Sequence, residues 1–364
     1  MLSFFGPQMN SVYNACSWLD FGFTIAESMG IHRSTSSIGV STKDRGRVKR
    51  LWWTLAMRDA HCAALLGRPF RINIPQCDVP MLELEDFASE LSSGGQVSAL
   101  YQIEAARLSN IARSIIQRRF HSSEMDTDMS DLHDGLASWK THLPSELSSS
   151  TQKTGTNIFA TSLELLYHQH VILLHFDRAH GPLSPSISQS GGSTSTKAAT
   201  DAAQAIASSA SSLVTKQMIN RLPHEVFTGF FVAGIVYYRQ IHSDEPLMSQ
   251  VAQASLDNCR MLLHEARDSW DPAHWSIRIF GFLMSRAGGK SGPPQVDRTS
   301  NTSKASFVSN EPVLEVDWAD YGAHDGFPSI GDYTAFHDGE ASDINIPSTF
   351  DDFFLMSNFF FPNT

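Results

Sequence analysis

From residue 11 to about residue 285, apolar side chains return every three or four positions, and clean two-residue alternation is hard to find. That spacing matches the 3.6-residue turn of a helix rather than the pleat of a strand, so the fold class expected is all-α. Helices are expected at roughly 10–29, 41–67, 97–120, 130–142, 157–180, 198–220, 224–241, 248–268 and 272–286, a multi-helix bundle of about nine. In the first, Val12, Ala15, Leu19, Gly22, Ala26 and Met29 share a face, and Gly30 stands where the helix should end. The second opens at Ser41, with Asp44 three residues on as a weak capping box, and stops at Gly67 before Pro69.

Composition then divides the chain. An apolar share of 41% over 364 residues is enough for a sizeable core. The stretch GPLSPSISQSGGSTSTK at 181–197 reads as a flexible linker inside a domain spanning 1–287, and the polar run 148–156 reads as a smaller one. Beyond residue 288 the chain turns to Gly, Ser, Pro, Asn and Asp, which cannot bury enough apolar area to offset the entropy of ordering. The segment 288–364 is therefore expected to be a disordered acidic tail. Residues 311–364 hold eleven Asp or Glu and no Lys or Arg, so that stretch carries the whole net charge of −11 and the rest of the chain, the body, is neutral. A neutral body argues against extensive phosphate binding. Near the end, acids stand beside Phe353, Phe354, Leu355, Met356, Phe359, Phe360 and Phe361. Acidic neighbours keep aromatics in water and available to a partner, the compositional logic of an activation segment.

Four widely spaced cysteines form no C-x-x-C pair, so neither a disulfide framework nor a zinc site is expected, and reduced intracellular thiols are the simpler reading. The N-terminus has no Lys or Arg before Arg33 and lacks the regions of a signal peptide. The uncharged stretch Val226 to Tyr238 would span only about 20 Å as a helix, against a hydrocarbon core of about 30 Å. No membrane crossing is expected.

The densest passage is KRLWWTLAMRDAHCAALLGRPFRINIPQCDVPML at 49–82, where Asp59, His61 and Cys62 invite a catalytic reading. Neighbours on a helix diverge by about 100°, so His61 cannot serve Cys62 as a base, and Cys62 reads as a small core residue. Val48, Trp52, Leu55, Asp59, Cys62 and Leu66 share one face. Asp59 thus falls on a buried stripe and needs a cationic partner, with Arg33, Arg68 and Arg71 as candidates. The rod is expected to be hidden in the bundle with no reactive cleft at its surface. His168, His170 and His175 do not have the i, i+4 spacing of a metal site. His264 lacks the second His of a zinc-protease motif, and GGKS at 288–291 lacks the first glycine of a phosphate loop. The basic run at Arg45, Arg47, Lys49 and Arg50 is turned to different sides by the helix and lacks interleaved aromatics.

These residues resemble a known family. AESMGIHRS followed by the 49–82 passage is similar to the middle homology region of the fungal-specific transcription factor domain, the regulatory part of zinc-cluster activators. The matching positions are Met29, Gly30, Ile31, His32 and Arg33, then Lys49, Arg50, Trp52, Trp53, Arg58, Asp59, Leu66, Gly67, Arg68, Pro69, Asp78 and Val79. Leu136, Trp139, Leu143 and Pro144 match a later family pattern, and Trp270, Ala273 and Trp275 another, so the resemblance covers roughly 11–285. The Arg-Pro and Cys-Asp-Val details look most like the cutinase-regulating subgroup.

The resemblance implies a nuclear transcription regulator rather than an enzyme, with the matched residues as scaffold. It implies transcription machinery or a coactivator as partner of the tail, and a homo- or hetero-dimer partner. Family members read DNA with a six-cysteine binuclear zinc cluster, which this sequence does not contain, so no cofactor is expected here and DNA contact would be indirect or through a further N-terminal module. An interaction protein that pairs with a full-length relative is the alternative, and a small-molecule enzyme the weakest.

Overall fold

The computed structural model describes residues 15–34, 41–66, 69–91, 94–120, 128–148, 157–175, 192–241, 245–270 and 272–288. Among these, ten α-helices occur: α1 (Ala15–Ser28), α2 (Thr42–Leu66), α3 (Ala88–Leu91), α4 (Gln96–Phe120), α5 (Met129–Thr141), α6 (Ile158–His175), α7 (Gly192–Thr215), α8 (Phe227–Ile241), α9 (Pro246–Ala266) and α10 (Pro272–Gly288). One of them, α3, is a single turn, and no strand is present among the described residues. Up to Met284 they lie in one structural unit.

Helix ends follow from local chemistry. At α1, Gly30 takes φ +70°, its N–H reaches Glu27 O, and Ile31 N–H reaches Ala26 O. This pair of bonds satisfies two terminal carbonyls and needs a left-handed residue, which glycine adopts without a Cβ clash. Met29 lies past the last helical residue and is 70% exposed, so it leaves the buried face assigned to it; Phe23 is buried beside Leu19 and Ala26 instead. At α2, Ser41 Oγ accepts the Asp44 N–H at 3.2 Å and donates its own proton to the Asp44 carboxylate at 2.6 Å.

Two hydrophobic cores result. The smaller gathers Phe23, Ala26 and Ile31 around Trp52 and Trp53, with Ile72, Leu82, Phe87, Ala99, Ile103 and Ala106. The larger is built on α8, buried at every residue from Phe227 to Tyr237 and packed against α6, α7 and α9. A helix apolar on all sides is a helix enclosed on all sides. Trp139 stacks on Tyr167 at 6.1 Å and Trp270 packs on Phe227 at 5.6 Å within this core. Helix α4 bridges the two, contacting α2 on one side and α6 on the other.

The linker expected at 181–197 is shorter at its far end, because residues 192–197 already belong to α7. Ser195 Oγ donates to the His175 carbonyl at 3.1 Å, which ties the start of α7 to the end of α6. Residues 181–191 of that linker, the tail beyond residue 288, and the polar run 149–156 lie outside the described residues.

Gly46 sits inside α2 for a steric reason. A Cβ there would meet the Asp86 carbonyl oxygen at 2.7 Å, and that oxygen belongs to backbone. Gly46→Ala is expected to destabilise by about 1–3 kcal/mol despite the better helix propensity of alanine. Urea unfolding reads this directly, and an unchanged midpoint would show that the two backbones are not held this close.

Candidate regulatory site around helix α2

The C-terminal half of α2 is buried on every side: Arg58, Asp59, Ala60, His61, Cys62, Ala63 and Ala64 are all buried. A single buried stripe along 48–66 is therefore too narrow a description of this helix.

Asp59 is paired with Arg113 of α4, whose Nη2 lies 2.6 Å from Asp59 Oδ2. The same carboxylate accepts the backbone N–H groups of Arg71 at 2.9 Å and Ile72 at 3.0 Å. Arg113 also donates to the Ala56 and Ile72 carbonyls, and its guanidinium lies over the Phe70 ring at 4.6 Å. The partner proposed from sequence is corrected accordingly. The Arg71 side chain reaches Asp20 instead, Arg33 is exposed, and Arg68 lies outside the described residues with Gly67. Arg113 carried a legible signal: Ile103, Ala106 and Arg113 fall on one stripe of α4, so an arginine stands among apolar residues just as Asp59 does.

The other motif residues organise the surrounding turns. Trp53 Nε1 donates to the Pro80 carbonyl at 2.8 Å, and the His32 ring lies 6.4 Å from Trp52. Asp78 Oδ1 accepts the Ser34 N–H at 2.7 Å, joining the turn after α1 to the 77–83 segment. Pro69 is exposed, and Pro144 precedes a 3-10 turn at Ser145–Leu147. Lys49 pairs with Asp86 at 2.7 Å, and Arg50 pairs with Glu90 at 2.6 Å while lying over Phe87. The basic run thus holds α2 to the 84–91 segment.

His61 and Cys62 part company. Cys62 turns to Cys16 of α1, and that hydrogen bond, followed by burial, raises its thiol well above the ordinary value. A thiol held protonated is a poor nucleophile. His61, however, lines a cavity of about 270 Å³ enclosed by α2, α4, α6 and the 223–225 turn. This corrects the expectation of a rod without a cleft. Alanines and Ser109 face one another here, at Ala60, Ala64, Ala105 and Ala112, and short side chains leave room. His170 and Gln169 of α6 complete the polar lining, with Tyr101. Arg58 closes one side by pairing with Glu225 at 3.6 Å. Burial lowers the His61 pKa well below its ordinary value, helped by the Arg58 charge, and burial takes His170 down to about 4. Both imidazoles are neutral at pH 7.

The three clustered histidines separate. His168 lies 3.9 Å from Glu164, His170 lines the cavity, and His175 lies 3.3 Å from Ser195 Oγ. No metal-binding group of side chains occurs among the described residues, and none of their helices is long and apolar enough to cross a membrane.

A protein-family model described as the fungal specific transcription factor domain matches residues 1–165, which takes in α1, α2 and α4. Longer stretches of the chain are similar to parts of individual proteins. The acetamidase regulatory protein of Aspergillus oryzae is 27% identical over 271 residues, 73% of this chain and 34% of that protein. The cutinase transcription factor 1 alpha of Fusarium vanettenii is 27% identical over 280 residues, 73% of this chain and 30% of that protein. Cutinase transcription factor 1 beta of the same organism is 36% identical over 74 residues, 20% of this chain and 8% of that protein. The likeness therefore reaches beyond the cutinase-regulating subgroup. The chain spans about a third of the length of the curated relatives it matches. No solved structure matches it.

Removing either partner of the α2–α4 pair leaves a buried charge unmatched, so Asp59→Asn and Arg113→Leu are each expected to cost about 3–5 kcal/mol. The double variant should lose less than the sum, and full additivity in urea unfolding would show the two groups to be independent. A second expectation concerns pH. His170 has a folded pKa near 4 against an ordinary 6.5, so the unfolded chain binds more protons between those values. Its contribution is complete above pH 6.5 and is lost as pH falls towards 4. From pH 7 to pH 5 the loss should be about 2 kcal/mol, and His170→Leu should remove that share of the slope.

Proposed function

We propose that this chain is the regulatory and activating part of a nuclear transcription regulator. The observation that carries the reading is the fungal specific transcription factor domain at 1–165, continued by likeness to named regulators over 73% of the chain. The packing supports it. Trp52, Trp53, Asp59 and Arg113 build a scaffold, and the Cys62 thiol is held protonated away from His61. Lys49 and Arg50 are engaged by acids of the same chain, so the helix carrying the basic run does not offer those two cations to nucleic acid. DNA recognition then belongs to a zinc-cluster module outside this sequence or to a dimer partner.

The activating part in this proposal is the tail, outside the described residues, where Phe353, Phe354, Leu355, Phe359, Phe360 and Phe361 stand near Asp351 and Asp352. Its partner is the transcription machinery or a coactivator. Residues 288–364 fused to an unrelated DNA-binding domain should activate a reporter in a fungal host. Replacing the five phenylalanines among those tail positions by alanine should return the signal to that of the DNA-binding domain alone. A native fusion no more active than that control would remove the activating role.

A further inference from the structure

The cavity beside His61 is unusual for what it leaves unpaired. Interiors are packed nearly as tightly as organic crystals, and few voids exceed a water molecule. About 270 Å³ is just below the roughly 300–1,000 Å³ of small-molecule pockets. Buried polar atoms are nearly always hydrogen-bonded, yet His61 Nε2, His170 Nδ1 and Gln169 Oε1 have no partner among the described residues. All three side chains line the cavity, and His61 and His170 are each only 8% exposed. The rings are close enough for a charge on His170 to act on His61.

The chemistry of the lining restricts the occupant. Met57, Leu108, Ile116, Leu166 and the alanines make most of the wall apolar. Arg58 and Glu225, 3.6 Å apart, are both in the lining and offset each other, so the wall has no net charge to hold an ion. A neutral imidazole supplies one N–H donor and one lone pair, which suits a hydroxyl, carbonyl or amide. Exposed Thr54 stands among the lining residues, which brings the cavity to the surface and gives a way in.

We propose that this cavity binds an uncharged, mainly apolar small molecule whose single hydroxyl, carbonyl or amide group hydrogen-bonds to His61 and His170. Occupancy joins α2, α4 and α6, and hence the two cores, through one ligand. That the ligand then acts as an effector rests on the proposed regulatory function; the binding itself does not.

The test uses the purified full chain in titration calorimetry, with 2-naphthol as a compact probe and 1-heptanol as a linear one. At least one should bind saturably at one site per chain. His61→Leu and His170→Leu should each weaken that probe at least tenfold. Ala105→Phe, which fills the cavity, should abolish binding, with Ser109→Leu serving if the first variant fails to fold by circular dichroism. Charged 2-naphthoate should bind at least tenfold more weakly than 2-naphthol. Absence of saturable binding by both probes overturns the site, as does binding that survives the filling variant. Equal binding of 2-naphthoate overturns the uncharged class. Because binding is read on isolated protein and activation on the tethered tail, failure of one is distinguishable from failure of the other.

Discussion

The contact between Asp59 and Arg113 fixes how the first helices sit against each other. A carboxylate and a guanidinium, 4% and 9% exposed, are expensive to desolvate unless further hydrogen bonds offset the lost water. Here the carboxylate takes two backbone N–H groups from the chain that follows α2, and the guanidinium takes carbonyls from Ala56 and Ile72. One ion pair thereby joins two helices and the connection between them. Its directional demands set the rotation of α2 about its own axis. With Asp59 pinned, Trp52 points to Phe23 and His32, while His61 points to the cavity.

That rotation also explains why one helix serves two environments. Its N-terminal half is held at the surface by charge, through Lys49 with Asp86 and Arg50 with Glu90. Its C-terminal half has its charges balanced inside the protein, Asp59 by Arg113 and Arg58 by Glu225. What remains around His61 and His170 is a space with polar atoms and no uncompensated charge, where burial keeps both rings neutral. The cavity lies where α4 bridges the two cores, a position from which a change in packing on one side reaches the other. The stretch 1–165, which matches the fungal specific transcription factor domain, contains two of the three helices that line the cavity.

Much of this was legible because it is local. Apolar periodicity depends on the turn of the backbone and marked most helices to within a few residues, α7 lying five or six residues earlier than expected at both ends, and Gly30 and Ser41 announced their roles through bonds to residues a few positions away. The departures arose where a neighbour in space overrode the local pattern. Met29 is exposed because α1 ends at Ser28 just before it, and α7 starts within a Ser- and Thr-rich run where Ser195 donates to a carbonyl of α6.

The sequence by itself determined that the chain is helical, that Asp59 must be buried and paired, and that the 49–82 passage carries a family pattern, since each depends on spacing along the chain. Only the tertiary structure decided that Arg113 is the partner, 54 residues away, that Arg58 meets Glu225, and that His61 and His170 line one open space. The reason is geometric. Periodicity states which side of a helix is buried, but which residues meet there depends on how far each helix is slid and rotated against the next, and side chains from several helices must close before a void between them exists.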